Sequence, residues 1–257
     1  MMNRSEIARY ARALRERLEG HRLAGWEPPL AAERIAPDLP AHTDHVQASP
    51  VTSSAPAETP RESGSSEKTL ELLRGEVAGC SRCRLHEGRA QAVFGVGDPN
   101  ARLMFVGEGP GSEEDRQGEP FVGPAGQLLD KIIVAMGLRR ADVYIANVVK
   151  CRPPNNRNPR SDEMEACRGY LDQQIGRVAP EVIVALGTVA ARALVGGELS
   201  MGKMRGRFHH YGEVPVMPTY HPAYLLRTPS EKRKVWEDIQ QVMARLELGP
   251  DESPRSA

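Results

Sequence analysis

The chain has 257 residues, with 34 Lys and Arg against 34 Asp and Glu, only four Cys, and a mean hydropathy of −0.47. No apolar run approaches the ~18 residues of a membrane-spanning helix, and the N-terminus is too charged for a signal peptide, so we expect a cytoplasmic protein without membrane contact. The cysteines are too few for a disulfide scaffold, and the balanced charge argues against a protein that coats polyanions, although a local basic groove is compatible with it.

The N-terminal quarter differs in composition from the rest of the chain. Residues 1–22 carry apolar side chains at helical spacing after Ser5, which predicts a short amphipathic helix that either is marginal or docks on a partner protein. Residues 23–67 contain seven prolines between Pro28 and Pro60 and predict a flexible linker, so we expect a disordered N-terminal extension. A disordered tail is expected over 248–257.

Apolar runs alternate with helical patterns through residues 68–247, the predicted folded domain. The strand-like runs are 102–107, 143–149, 181–187 and 214–219, and the helical patterns are 70–77, 126–136, 162–178, 188–194 and 231–246. Strands rich in Val and Ile that alternate with helices predict an α/β fold with three layers, α/β/α, around a central, mostly parallel four-stranded sheet. Ligands bind such sheets beyond the carboxyl ends of the strands, so the loops after the first, second and fourth strands should form one crevice.

The four cysteines have the spacing of a metal centre. Cys80 and Cys83 are separated by two residues, whereas Cys151 and Cys167 follow singly and far along the chain. Two close thiolates and two distant ones suggest tetrahedral sulfur coordination, and they do not match the paired knuckles of common zinc modules, so the spacing favours an iron–sulfur cluster over zinc. Unrelated buried thiols are a third interpretation, which the polar surroundings of the first pair disfavour.

The first of the three loops is rich in glycine. Gly107–Gly111 (GEGPG) directly follows a predicted strand, so its backbone can approach a ligand closely. The loop lacks the Gly-Lys-Ser/Thr and G-x-G-x-x-G patterns of phosphate-binding loops, and Glu113, Glu114 and Asp115 follow it. It therefore indicates a planar or neutral ligand rather than a phosphate.

Three side chains in or beside these loops are candidates for contact with a base. Phe121 lies in a loop flanked by Gly and Pro, where it either stacks on a base or fills the core. Asn147 ends an apolar strand, where its amide either reads the edge of a pyrimidine or is satisfied by backbone. His221, before Pro222, is placed to stabilise developing negative charge.

Basic residues flank the predicted crevice although the chain is neutral overall. One group lies within residues 150–160 and contains no acid, and a second lies near the other loops. The two groups consist of Lys150, Arg152, Arg157 and Arg160, and of Lys203, Arg205, Arg207, Arg227, Lys232, Arg233 and Lys234. We expect some of these cations to contact the phosphates of a nucleic acid.

Taken together, the segments GEGPGSEEDRQGEPFVGPAGQLLD, NVVKCRPPNNRNP and HPAYLLR resemble the family 4 uracil-DNA glycosylases, the iron–sulfur branch of that superfamily. The resemblance covers roughly residues 70–245. It implies the three-layer fold of that superfamily and a monomeric enzyme that flips uracil out of DNA, hydrolyses its N-glycosidic bond and leaves an abasic site. It also implies a structural [4Fe–4S] cluster on Cys80, Cys83, Cys151 and Cys167, with zinc as the alternative.

The resemblance also implies roles for residues in the pocket. Phe121 would stack on uracil, and the Asn147 amide would read the polar edge of the base. The backbone at Gly109 and Pro110 would contact the base as well. His221 would face O2 and stabilise the departing uracil anion.

Outside the base pocket, the resemblance places Leu225 where a side chain wedges into the base stack, and Arg227 on a phosphate. Glu108, Glu114 and Asp115 are the candidates for positioning the hydrolytic water. The third position of GEGPG is glycine where other branches carry a catalytic Asp, so the resemblance does not choose among the three acids.

Two residues depart from the family pattern. Ser112 stands where members often have an acid, and Pro124 resembles the branch that crosslinks itself to uracil-containing DNA. That branch needs a His in the loop after the second strand, and the loop here, KCRPPNNRNPRSD, contains none. We therefore expect turnover rather than a binding or crosslinking module. A third hypothesis, an accessory to a polymerase, concerns only residues 1–66, which lie outside the resemblance.

Overall fold

The computed structural model describes residues 63–248. Its helices are α1 (Ser63–Ala78), α2 (Leu85–Gly88), α3 (Ser112–Gln117), α4 (Pro124–Ala135), α5 (Ser161–Val178), α6 (Thr188–Val195), α7 (Met201–Met204), α8 (Pro222–Arg227) and α9 (Lys232–Arg245). Its strands are β1 (Val96–Gly97), β2 (Leu103–Gly107), β3 (Tyr144–Asn147), β4 (Val182–Leu186), β5 (His209–Tyr211) and β6 (Val214–Thr219). None of the helices within 63–248 is long and apolar enough to cross a membrane.

The sequence predictions for both ends of the chain fall mostly outside this range. The predicted helix over 1–22, most of the linker over 23–67 and nearly all of the tail over 248–257 lie beyond the described residues. The structure does describe the last part of the predicted linker, because α1 begins at Ser63. Residues 63–67 are thus helical rather than part of a linker.

The strands form one sheet in the order β1–β3–β2–β4–β6–β5. The four inner strands are parallel, which confirms the predicted parallel four-stranded centre. Two antiparallel edge strands, β1 beside β3 and β5 beside β6, were not predicted. They have two and three residues and are not fully buried, so they show neither an apolar run nor a readable alternation.

Helices cover both faces of the sheet, which confirms the three-layer architecture. Every residue of β2 and β4 is buried, as expected for parallel strands packed on two sides. On one face, α1, α5, α6 and α7 pack around Val77, Tyr170 and Met204. On the other face, α4, α8 and α9 pack around Ile133 and Ile239. The inner strands therefore form a rigid base from which the loops at their carboxyl ends project.

The segment after β3 remains attached to the loop after β2. The prediction extended this strand to Val149, whereas β3 ends at Asn147. Beyond that point, the Val148 amide donates to the Gly107 carbonyl at 2.9 Å, and the Val149 amide donates to the Glu108 carbonyl at 3.1 Å. These two hydrogen bonds hold the two loops at a fixed distance from each other.

Candidate active site

The loops after β2, β3 and β6 meet in one place, as the topology predicts. Gly107 at the end of β2 touches both Asn147 at the end of β3 and the ring of Phe121. The Phe121 ring also stacks on the ring of His221, which follows β6, with centroids 5.6 Å apart and planes inclined by 28°. The structure thus brings together the three side chains that the sequence singled out.

Gly107 is part of this site, and its contacts go beyond the close approach of backbone to a ligand that the GEGPG loop predicted. A Cβ atom at this position would lie less than 3.0 Å from Asn147 Oδ1 and from two atoms of the Phe121 ring. Any side chain would therefore displace one of these two groups. A glycine that ends a fully buried strand was the available signal.

Phe121 has a backbone conformation that is unusual for an aromatic residue. Its φ angle is +55°, and its side chain is buried. A non-glycine residue in this region persists only where its surroundings enforce it. Gly126 allows this arrangement, because a Cβ there would overlap the Phe121 carbonyl, and a Glu114 oxygen accepts hydrogen bonds from the next two amides in the chain.

Asn147 carries an orphaned polar atom. The side chain is 2% exposed, and Oδ1 has no hydrogen-bond partner among the residues that the structure describes. A buried acceptor without a partner is rare and costs about 1–3 kcal/mol, so its presence calls for an explanation. An acceptor that faces Phe121 and Gly107 is placed to receive a hydrogen bond from a bound ligand.

His221 caps α8 through its own ring. Nδ1 accepts a hydrogen bond from the Ala223 amide at 3.1 Å. The pKa of His221 is lowered to about 4: burial has the largest effect, the nearby Arg227 charge acts in the same direction, and the Glu114 charge acts in the opposite direction. The imidazole is therefore neutral at pH 7, and because Nδ1 is an acceptor, the proton resides on Nε2.

Two of the three acids proposed to position water are bonded to main chain instead. Glu114 accepts from the amides of Gly111 at 3.1 Å, Val122 at 3.0 Å and Gly123 at 2.9 Å, so both its oxygens join the glycine-rich loop to the Phe121 loop. Asp115 is buried, and its Oδ1 accepts from the Ala90 and Gln91 amides. These carboxylates fix loops, and the expectation that one of them positions water stays a prediction.

Glu108 differs from the other two acids. Its side chain is half-buried beside the pocket, and its carboxylate has no hydrogen bond or ion pair with any other residue in the range 63–248. Burial raises the pKa of Glu108 above its usual value. A partly desolvated carboxylate without a protein partner is available to hold a water molecule.

Leu225 does not fit the role of a wedge, which corrects the expectation from the motif. It is 1% exposed and packs in the core beneath α8, whereas Leu226 is 47% exposed. Neighbouring residues of a helix point in directions about 100° apart, so when one leucine faces the core the next faces outward. The exposed leucine at this point of α8 is Leu226.

Several of the predicted phosphate-binding cations are engaged within the protein. Lys150 is fully buried, and burial lowers its pKa to about 8. Arg157 makes a two-pronged pair with buried Glu163, at 2.8 and 2.6 Å. Lys150 is therefore enclosed and cannot bind a phosphate, contrary to the expectation, whereas phosphate contact by Arg157 stays a prediction. Arg227 is exposed, and Arg152 is half-buried with its Nε donating to an asparagine side chain, so phosphate contact by these two stays a prediction as well.

All four cysteines line one cavity, which is partly open to solvent. Cys80 and Cys83 come from the turn between α1 and α2, Cys151 from the segment after β3, and Cys167 from α5. The Arg89 guanidinium donates to Cys151 Sγ at 3.0 Å.

The lining of this cavity is compatible with a metal centre bound through sulfur. Within the described part of the chain, no three potential ligand side chains lie close enough together to hold one metal ion. The four cysteines line one common space, and the choice between a cluster and a single ion stays a prediction from their spacing. Burial raises the pKa values of the Cys151 and Cys167 thiols, and the nearby cations Arg89 and Lys150 oppose this effect.

Comparisons with known proteins identify similarity to one superfamily. A model of the uracil DNA glycosylase superfamily matches residues 94–240 of the chain. A type-4 uracil-DNA glycosylase of Thermotoga maritima is 48% identical over 179 residues, which cover 68% of this chain and 93% of that protein. A type-4 enzyme of Sulfurisphaera tokodaii is 45% identical over 183 residues, covering 68% and 83%. A type-5 uracil-DNA glycosylase of Pyrobaculum aerophilum is 36% identical over 146 residues, covering 50% and 64%.

Proposed function

The chain belongs to the uracil-DNA glycosylase superfamily, and we propose that its pocket removes uracil from DNA by hydrolysis of the N-glycosidic bond. The protein is an enzyme of DNA repair, similar to type-4 uracil-DNA glycosylases. The observation that carries the proposal for the pocket is the buried, unpartnered Oδ1 of Asn147 beside the Phe121 ring.

The pocket has the groups that a pyrimidine ring requires. In our proposal, the uracil flips out of the strand and stacks on Phe121. Asn147 Oδ1 accepts from the N3–H of uracil, a hydrogen bond that thymine would offer equally, so rejection of its methyl group falls to the shape of the pocket. The main chain at Gly109 and Pro110 contacts the base in this proposal.

The chemical step breaks the bond between the sugar C1′ and uracil N1. Uracil leaves as an anion whose charge is shared with O2, and neutral His221 donates its Nε2–H to that oxygen. The low pKa of His221 keeps its imidazole neutral in the resting enzyme, so the Nε2–H group acts in this role as a neutral hydrogen-bond donor. Glu108 orients the water that adds to C1′, this water releases its extra proton to solvent, and the uracil anion takes up a proton from solvent after it leaves.

Two residues at α8 hold the strand from which the base is extruded. Leu226 occupies the space that the flipped base vacates, and Arg227 binds a neighbouring phosphate. Arg152 is a further candidate for phosphate contact.

The four cysteines bind a [4Fe–4S] cluster in this proposal, with zinc as the alternative that an iron and sulfide assay would reveal. When bound, the cluster crosslinks the α1–α2 turn, the segment after β3 and α5, and it contributes no redox step to a hydrolysis. Support comes from the common cavity of the four cysteines and from the cations beside their sulfur atoms.

The setting of the enzyme is part of the proposal. We place it in the cytoplasm of a bacterium or archaeon, on the nucleoid, as a monomer. The segment 1–22, for which the sequence predicts a helix, is proposed to bind a partner protein, and removal of residues 1–62 should then leave uracil release unchanged.

Cleavage of a labelled oligonucleotide tests the proposed function. The purified protein is incubated with single strands that carry uracil or thymine at one position and are then treated with hot alkali. We expect cleavage at the uracil alone. Intact uracil strands would refute the enzyme, and a shifted band that survives denaturing electrophoresis would support a crosslinking module in its place.

A further inference from the structure

Lys150 is a fully buried lysine that the proposed reaction does not use. It is 1% exposed, and its Nζ donates to the Asn147 carbonyl at 2.7 Å and to Gln174 Oε1 at 2.5 Å. Neither partner carries a charge, and no carboxylate within residues 63–248 forms an ion pair with it. A buried charge without a counterion is strongly unfavourable, so a compensating negative charge is expected close by.

The cavity of the four cysteines supplies this charge. Lys150 lines that cavity, and its own backbone amide donates to Cys167 Sγ at 3.3 Å. A cluster held by four thiolates is an anion overall, so the ammonium group stabilises the loaded site, and the loaded site stabilises the ammonium group.

The same side chain reaches the base pocket. The peptide carbonyl that accepts from Nζ belongs to Asn147, whose amide faces the proposed uracil site. Gln174 fixes the other side of the ammonium group, since its Nε2 donates to the Phe94 carbonyl and to the Tyr144 hydroxyl. One residue therefore contacts the wall of the cluster cavity and the backbone of the pocket asparagine, without exposure to solvent.

We propose that Lys150 is a positioning residue that couples the cluster to the pocket: its charge compensates the cluster, and its hydrogen bond fixes the end of β3 that carries Asn147. The inference rests on the proposed function, because it needs both the cluster and uracil excision. The role is indirect, since Lys150 touches neither the base nor the water.

Substitutions separate the charge of Lys150 from its hydrogen bond. Lys150→Met removes both, whereas Lys150→Gln keeps a donor and removes only the charge. In either variant we expect the cluster to be oxidised more readily, because loss of a nearby cation favours the more oxidised core. Single-turnover excision should fall about 10-fold or more in Lys150→Met, with a smaller fall in Lys150→Gln, because a displaced Asn147 holds the base less well.

Three properties are measured: the iron and sulfide content, the midpoint potential of the cluster by spectroscopic titration, and the single-turnover excision rate together with the KM for the DNA substrate. Lys131→Met is the matched control, since Lys131 is an exposed lysine on α4, and it should change none of them. If neither Lys150 variant folds, Gln174→Met tests the proposal instead, because it retains the Lys150 charge and removes one of the two hydrogen bonds of its Nζ. We then expect an unchanged iron content with an excision rate that falls several-fold.

The possible results are distinct. A wild-type protein without uracil release would refute the proposed function, whereas one that releases uracil but contains no iron would refute the cluster and with it the inference on Lys150. A wild-type protein with both, together with Lys150 variants that keep the normal potential and rate, would overturn only the inference on Lys150. If neither Lys150 variant folds, an unchanged excision rate in Gln174→Met would overturn the inference on Lys150.

Discussion

The rings of Phe121 and His221 lie 5.6 Å apart, nearly parallel, although one hundred positions separate them in the chain. Phe121 precedes α4, and His221 follows β6. Both loops are at the carboxyl ends of parallel strands, where a doubly covered sheet leaves a crevice. The contact places an aromatic face and a neutral hydrogen-bond donor on the same wall, and the following predictions derive from this arrangement.

Asn147→Ala should abolish most activity and leave stability almost unchanged. Truncation of a buried side chain usually destabilises a protein, but here it also removes an acceptor that has no partner in the described structure. We expect excision to fall about 100-fold or more. The free energy of unfolding in urea should change by no more than about 1 kcal/mol. Asn158→Ala, at an exposed position, is the control. Normal excision by Asn147→Ala would show that the base binds elsewhere.

His221 should make the folded protein sensitive to moderate acid. Its pKa is lowered from 6.5 to about 4, so between these values the unfolded chain binds more protons than the folded one. The stability that neutral His221 permits is complete above pH 6.5 and is lost as pH falls toward 4. The loss amounts to about 3 kcal/mol at most.

Urea unfolding at pH 7.5 and pH 5 measures this effect. The fall in unfolding free energy should be smaller in His221→Gln than in the wild type, and His210→Gln, at an exposed position, should behave as the wild type. An equal fall in all three proteins would contradict a depressed pKa at His221.

Glu108 and Glu114 should respond differently to removal of their charge. Glu108→Gln should slow excision about 10- to 100-fold without loss of stability, since its carboxylate has no partner in the described residues and is partly desolvated. Glu114→Gln should lower the free energy of unfolding by about 2 kcal/mol, because one of its oxygens becomes a donor that faces backbone amides. Thermal melts and single-turnover excision rates of both variants test this prediction. A stable, fully active Glu114→Gln would show that the loop connection is dispensable.

Leu226 and Leu225 form a second matched pair. Leu226→Ala should reduce excision from double-stranded DNA more than from single strands, because only the duplex has a stack to fill, and stability should be unaffected. Leu225→Ala should cost about 2–5 kcal/mol of stability through a core cavity. Rates on the two substrates, with urea unfolding of each variant, provide the test. The reverse pattern would restore Leu225 as the wedge.

Sequence patterns were sufficient for the parallel centre of the fold. Long apolar runs such as β2 and β4 can be recognised because each residue is buried between two helical layers. The two edge strands were not predicted, since their short length and partial exposure produce no periodic pattern of hydrophobic residues. The helix boundary at Ser63 also differed, because the composition of that segment resembles a linker whereas tertiary contacts of α1 stabilise a helix.

The pocket was predictable where a residue was chemically out of place. Asn147 in an apolar strand and Phe121 among glycines and prolines are such cases. Residues whose role depends on direction were not predictable, because a sequence does not state which of two adjacent leucines faces outward. Lys150 likewise reads as a surface cation until the structure shows its side chain enclosed.

Direct identification of the product tests the central claim, that the Asn147 pocket hydrolyses the glycosidic bond of uracil. The iron-loaded, full-length protein is incubated with a single-stranded oligonucleotide that contains one uracil, and the small-molecule fraction and the strand are analysed by mass spectrometry. We expect free uracil and an abasic strand in equal amounts, with the protein unmodified. An intact strand, or a strand joined covalently to the protein, would contradict it.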